Sequence, residues 1–218
     1  MQDFTEELLK LKEHFSLQKK VPMIELPANY PVLDLSNGPV DLDANVFAVA
    51  KYAEHRPGQY ISEIYNNDRD FHIGLDIIAP VSTDVFAPYT MKILETAYLP
   101  ADKDYGHCLL GQILWPGRDL FILVGHLAKD VLALGKEKTV LEQGERFAKI
   151  GSEAENGGWF PHIHVQFSFL KPEKCDMPGV IRKEDNPYWK SQYPDPRILP
   201  AKLKWETGDN CSSTRNTR

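Results

Sequence analysis

At 218 residues, with 42% hydrophobic and 26% charged side chains, the chain is long enough to bury an apolar core in one domain of ordinary to large size, and its composition excludes a fibrous, collagenous or wholly disordered protein. A formal net charge of -6, from 31 acidic against 25 basic residues, gives no general attraction to phosphate backbones or anionic lipid, so neither nucleic acid nor a membrane is expected as a partner. No run approaches the roughly 20 consecutive apolar residues of a membrane helix, and the opening MQDFTEELLKLKEHF carries acids where a signal peptide needs a basic and then an apolar run, so a cytoplasmic location is expected.

In chain order, residues 3–17 place Phe4, Leu8, Leu11 and Phe15 at helical spacing with charges between them, which predicts an amphipathic helix bracing the main body. The proline-rich stretch Pro22 to Pro39 reads as an extended loop. A second helix is predicted over Ala44 to Arg56, where Val46, Phe47, Ala50 and Ala53 form one apolar face and Pro57-Gly58 stops the run. From Tyr60 to about Leu170 the pattern changes to short runs rich in Val, Ile, Phe and Tyr, separated by turn signals such as Asn66-Asn67-Asp68, Pro116-Gly117 and Asn156-Gly157-Gly158. Candidate strands are FHIGLDI, DVFAPY, CLLGQILW, LFILVGHL, RFAKIG and HIHVQFSF, and together they predict a mainly β, antiparallel domain. Lys171 to Pro200 reads as an irregular extension wrapped on that domain, and the polar TGDNCSSTRNTR as a disordered tail. The expected division is therefore 1–59 as a helical and loop extension, 60–170 as the principal domain, and 171–218 as extension and tail.

Cys108, Cys175 and Cys211 are odd in number and outside any C-x-x-C arrangement, so free thiols are expected in place of a disulfide framework or thiolate zinc knuckle. Asn210-Cys211-Ser212 formally matches a glycosylation acceptor but has no secretory route to support it.

The histidines carry the chemical signal. In Pro161-His162-Ile163-His164-Val165 two imidazoles two residues apart project from one face of a strand, while Ile163 and Val165 point the other way. In Phe71-His72-Ile73-Gly74-Leu75-Asp76-Ile77 the same alternation gathers His72, Gly74 and Asp76, with Gly74 leaving room between the other two. His72, Asp76 and one of the His162/His164 pair would make the tripod of two imidazoles and a carboxylate that catalytic zinc favours, with a fourth position left for water. A single strand histidine is more often a hydrogen-bonded core or surface residue; the two same-face pairs are what shift the balance toward a metal. A cupin-type site also uses H-x-H, but it adds an acid a few residues later, and here VQFSFLKP follows His164 with no acid before Glu173. His14, His55 and His107 have no partner pattern. Trp159 is equally suited to lining a groove and to core packing.

The order FHIGLDI at 71–77, VGHL at 124–127 and PHIHVQF at 161–167 resembles the lysostaphin-type, or LytM-like, zinc metallopeptidases. The similarity continues in VFAP after the first motif, Tyr105-Gly106 before a strand, and Gly144 and Ile150-Gly151 leading to the last motif, so it spans about Tyr60 to Phe169. It implies an antiparallel β-sandwich or open barrel of the duplicated hybrid kind, and one zinc ion held by His72, Asp76 and His164. It further implies His162 and His126 as the catalytic pair, either one the base and the other the stabiliser, and a peptide or small amide as substrate. Arg69 would add positive charge near the substrate or form a surface ion pair. ENGGWFPHIH and the later MPGV, YW and PDP elements resemble a cytosolic branch in which such modules are joined to kinase-like and aminotransferase domains acting on small amino compounds. Two other readings compete with a hydrolase: a zinc-holding module that binds a peptide or amino compound without cutting it, and a domain that serves a partner enzyme docked on residues 171–200.

Overall fold

The computed structural model describes residues 2–65 and 68–198. Three helices are present among them, α1 (Thr5–Ser16), α2 (Val131–Glu137) and α3 (Trp189–Gln192). The strands are β1 (Val32–Leu33), β2 (Ala48–Ala50), β3 (Glu54–His55), β4 (Phe71–His72), β5 (Leu75–Ile78), β6 (Asp84–Phe86) and β7 (Met91–Leu99), followed by β8 (Gly106–Ile113), β9 (Leu120–Leu127), β10 (Val140–Leu141), β11 (Arg146–Lys149), β12 (His162–Ser168) and β13 (Val180–Ile181). The fold is mainly β.

Eight strands form one sheet in the order β1-β2-β5-β12-β9-β8-β7-β10. It is antiparallel except where β1 runs parallel to β2, and β6 with β11 and β3 with β4 and β13 make smaller sheets beside it. The central strands are buried on both faces: every residue of β9 and all but the first of β12 are inaccessible. Their side chains divide between the main core, where Ile122, Val124, Ile163, Val165 and Phe167 meet, and a second cluster holding Phe121 and Leu123 with Tyr105, Cys108 and Cys175. No helix among the described residues is long and apolar enough to cross a membrane.

Helix α1 forms where its spacing predicts. Phe4, Leu11 and Phe15 are buried and Leu8 packs partly against the core, with Phe15 on Tyr89 at 4.1 Å and Phe4 on Phe169 at 5.6 Å between ring centroids. Glu6 and Glu7 in its first turn complement the helix dipole.

The helix predicted over Ala44 to Arg56 does not form. Ala48, Val49 and Ala50 are all buried as strand β2, with Val49 opposite Val32 on one side and Ile77 on the other. Ala53 takes a left-handed φ of 61°, which no α-helix accommodates. Apolar positions that satisfy a helical period over so short a stretch serve a doubly buried strand equally well, and the exposed edge of β5 decides the matter. FHIGLDI is likewise not one strand. It breaks at Ile73-Gly74, so that β4 joins the small sheet and β5 the large one.

The segment after residue 170 is more regular than its composition suggests. It supplies β13 opposite β4 and the short α3, and it is tied to the N-terminal segment: Ser191 Oγ accepts from the Phe4 amide at 3.1 Å and Gln192 Nε2 donates to the Gln2 carbonyl at 2.8 Å. Cys108 and Cys175 are free and buried, with their sulfurs 3.3 Å apart. The Asn66-Asn67 part of one turn signal, the tail, Cys211 and the glycosylation triplet lie outside the described residues.

Candidate metal centre

Strands β5, β12 and β9 lie side by side, and their register sets the site. His164 pairs with Asp76 on β5 and with Gly125 on β9, while His162 pairs with Ile78. The break after β4 turns His72 over the same point. As a result His72 Nε2 lies 3.3 Å from Asp76 Oδ1 and 3.1 Å from His164 Nδ1, and His164 Nδ1 lies 3.0 Å from Asp76 Oδ1. All three residues are buried, and one donor atom from each falls within 4.8 Å of the others. Gly74 makes the convergence possible, because a Cβ there would stand 2.1 Å from His164 Cε1.

Hydrogen bonds on the outer side of each ring fix where its proton sits. A carbonyl can only accept, so the Lys51 carbonyl 3.1 Å from His72 Nδ1 holds the proton on Nδ1 and leaves a lone pair on Nε2. His164 is the mirror case. Gln166 donates its Nε2 to the Pro178 carbonyl at 3.3 Å, which turns Oε1 toward His164 Nε2 at 3.2 Å and leaves the lone pair on Nδ1. Two imidazole lone pairs and a carboxylate oxygen therefore face one another with no proton between them. That arrangement is repulsive by itself and is satisfied by a cation, so the donor set fits a divalent metal with nitrogen and oxygen preference.

Electrostatics agree with a ligand role. Burial, seconded by the Arg56 cation, lowers the His72 imidazole to about 4 and keeps it neutral. Burial alone would raise the Asp76 carboxyl, but the charges around it, the Arg56 guanidinium among them, outweigh this and hold it well below the usual carboxylate range. Its second oxygen, Oδ2, accepts a 2.6 Å bond from Arg56 Nη1.

His126 and His162 stand beside this group with ring centroids 4.3 Å apart. His126 lies where β9 bulges against β8, with a φ of 65° that is uncommon outside glycine. The bulge aims its ring at His162, and its Nδ1 donates to the Asn156 carbonyl at 2.8 Å. Asn156 is itself locked, accepting from the Trp159 amide and donating to the Trp159 carbonyl, both at 2.9 Å. His162 Nδ1 donates to the Phe160 carbonyl at 2.6 Å, and its Nε2 lies 3.9 Å from Asp76 Oδ1. Both rings thus present an Nε2 lone pair. Burial lowers both pKa values, that of His126 strongly and with help from His162 and His164.

These five side chains line a cavity of about 820 Å³ together with Tyr60 and Trp159. Trp159 is at the wall, with Lys103 Nζ 4.8 Å over its ring. Arg69 also lines the cavity, but its guanidinium donates to the Ile64 carbonyl and sits 5.5 Å from the Tyr65 ring centre. His107 is elsewhere, stacked on Tyr98 at 4.3 Å with Nδ1 facing the Glu155 carbonyl. His55 pairs with Asp70 at 2.8 Å, and His14 packs on Phe15 and Trp115. Sequence reasoning missed Arg56, Gln166 and Asn156. Of these only Gln166 carried a signal, being two residues beyond His164 on the same strand face.

No family model matches the chain, and no curated protein matches it. Among solved structures it is similar to a variant of the catalytic domain of the prophage-encoded M23 protein EnpA from Enterococcus faecalis, at 18% identity over 63% of this chain and 89% of that one, with a TM-score of 0.42. It is also similar to a zinc containing peptidase from Vibrio cholerae, at 18% identity over 48% of this chain and 31% of that one, with a TM-score of 0.37.

Proposed function

We propose that this chain is a zinc-dependent hydrolase of the lysostaphin type that cleaves a peptide or other amide bond. The observation that carries the reading is the convergence of three proton-free donor atoms, on His72, Asp76 and His164, beside two further imidazoles that face the same cavity. Zinc held by His72, Asp76 and His164 would supply Lewis-acid activation of water near neutral pH.

The chain's own groups do the rest. His126 and His162 are neutral, and each has its Nδ1 proton committed to a backbone carbonyl, so each Nε2 is available to accept a proton from water. Once one has done so, the resulting N–H can donate to the oxyanion that develops on the attacked carbonyl or return the proton to the leaving amine. Two such rings 4.3 Å apart divide these tasks between them. A purely metal-holding module has no use for the second pair, and this favours hydrolysis over binding alone.

The test begins with protein purified without chelators, which should hold close to one zinc per chain. That protein is then screened against amides ranging from cross-linked muropeptides through free dipeptides to acylated amines, with His162→Ala as the control. Zinc-loaded wild type that cleaves none of them would leave only the binding reading, and protein that takes up no zinc would end both.

A further inference from the structure

One fully buried cation reaches two of the three candidate ligands. Arg56 is 1% exposed, and four hydrogen bonds hold its guanidinium. Nε donates to Glu54 Oε2 at 3.0 Å, Nη1 to Tyr60 Oη at 3.1 Å and to Asp76 Oδ2 at 2.6 Å, and Nη2 to the Lys51 carbonyl at 3.0 Å. That same Lys51 carbonyl accepts from His72 Nδ1 at 3.1 Å. Glu54 is anchored in turn, since its Oε1 accepts from the Leu35 amide at 3.1 Å.

We infer that Arg56 is a positioning residue that presets the metal site: its rigid fork clamps one oxygen of Asp76 and, through the Lys51 carbonyl, the ring of His72. The inference rests on the zinc reading above. Asp76 Oδ2 accepts from Nη1 while Oδ1 is the oxygen turned to the two histidines, so the arginine would favour Oδ1 as the ligand atom. The carbonyl that sets the His72 tautomer is held in place by Nη2 of the same group. A guanidinium suits this task because its donors lie in one plane at fixed angles, whereas an ammonium is a compact point charge that cannot span both acceptors in that geometry. Glu54 balances the charge, so a buried cation is tolerated next to a site intended for another cation.

The test compares wild type with Arg56→Gln and Arg56→Lys by zinc competition against a chromogenic chelator, by the visible spectrum of the cobalt-substituted protein, and by thermal melting of the metal-free protein. Outer-sphere partners of metal ligands typically account for about 10- to 100-fold in affinity, and a loss in that range is expected for Arg56→Gln, with Arg56→Lys between it and wild type. The cobalt bands should shift in Arg56→Gln, where Asp76 Oδ2 loses its partner, and by less in Arg56→Lys, whose ammonium cannot hold Asp76 and the Lys51 carbonyl in the same plane. A merely structural arginine would lower the melting temperature and leave the cobalt spectrum of the folded fraction unchanged. Arg56→Lys keeps a cation between Glu54 and Asp76, so it decides the matter if Arg56→Gln does not fold. Wild type that binds zinc tightly while the folded variants match it in affinity and spectrum overturns the role of Arg56 and leaves the zinc centre standing. Wild type that binds no zinc overturns both.

Discussion

Gly74 touches His164 where any other residue would collide with it: an added Cβ would lie 2.1 Å from Cε1 and 2.4 Å from Nε2 of the imidazole. The ring cannot retreat, because Gln166 holds its far edge and Asp76 stands on the near one. Gly74→Ala is therefore expected to cost about 1–3 kcal/mol of stability through overpacking and to weaken zinc uptake more than tenfold by displacing His164. Denaturant unfolding and chelator competition measure the two effects, and a variant that binds zinc like wild type would show that the ring has room after all.

His126→Ala and His162→Ala should separate metal binding from turnover. Neither side chain belongs to the group whose donor atoms converge within 4.8 Å, so each variant should keep its zinc. A positioned acid or base contributes about 10²- to 10⁴-fold, and a loss of hydrolysis in that range is expected for each. Loss of the metal with either would reassign that histidine as a ligand.

Acid should destabilise the metal-free protein as the pH falls below 6.5. His72 is lowered to about 4 and His126 lies well below its ordinary 6.5, both mainly through burial, whereas both titrate near 6.5 once unfolded. Between those values the unfolded chain binds more protons, so stability is full above pH 6.5 and falls as the pH drops toward 4. For His72 alone, the interval from 6.5 to about 4 at roughly 1.4 kcal/mol per pH unit gives a loss on the order of 3 kcal/mol. Asp76 adds to the loss only below pH 3.8. Urea unfolding of chelator-treated protein at pH 7.5 and 4.5 reads this directly, and equal stability at the two values contradicts it.

Helix α1 is a brace remote from the chemistry. Phe15 is 3% exposed and packs on Tyr89 and Trp115, so Phe15→Ala is expected to cost about 3–5 kcal/mol without changing zinc affinity. A change in affinity at unchanged stability would tie α1 to the site.

How much of this could be read from the sequence depended on how local the cause was. His162 and His164 share a strand, and a two-residue spacing puts them on one face whatever the surroundings. His72 and Asp76 come together as the alternation suggests, yet by a different route, through an interruption of the strand at Ile73-Gly74 that divides them between two sheets. Arg56 was hidden inside a stretch whose spacing mimics a helix, because only the neighbouring edge of β5 shows that Ala48–Ala50 is a strand. Strand β7 does not stand out in the sequence although Met91 and Ile93 alternate with Lys92, since the bulge between Ile93 and Glu95 breaks the period. The aim of His126 came from another bulge, whose cause is the pairing of β8 with β9 and not any local residue preference.

The wall beside the cavity comes from chain that follows the last strand of the eight-stranded sheet. Tyr105 Oη donates to the Met177 carbonyl at 2.9 Å, Gln166 to Pro178, and Gly179 passes so near that a Cβ would lie 3.4 Å from the His164 ring. A fragment trimmed after Phe169 would still spell out every histidine and aspartate of the three motifs. It would nonetheless leave the Gln166 amide free to flip and the back of one ligand open to solvent, so trimming the gene to its recognisable signature would discard part of what makes that signature work.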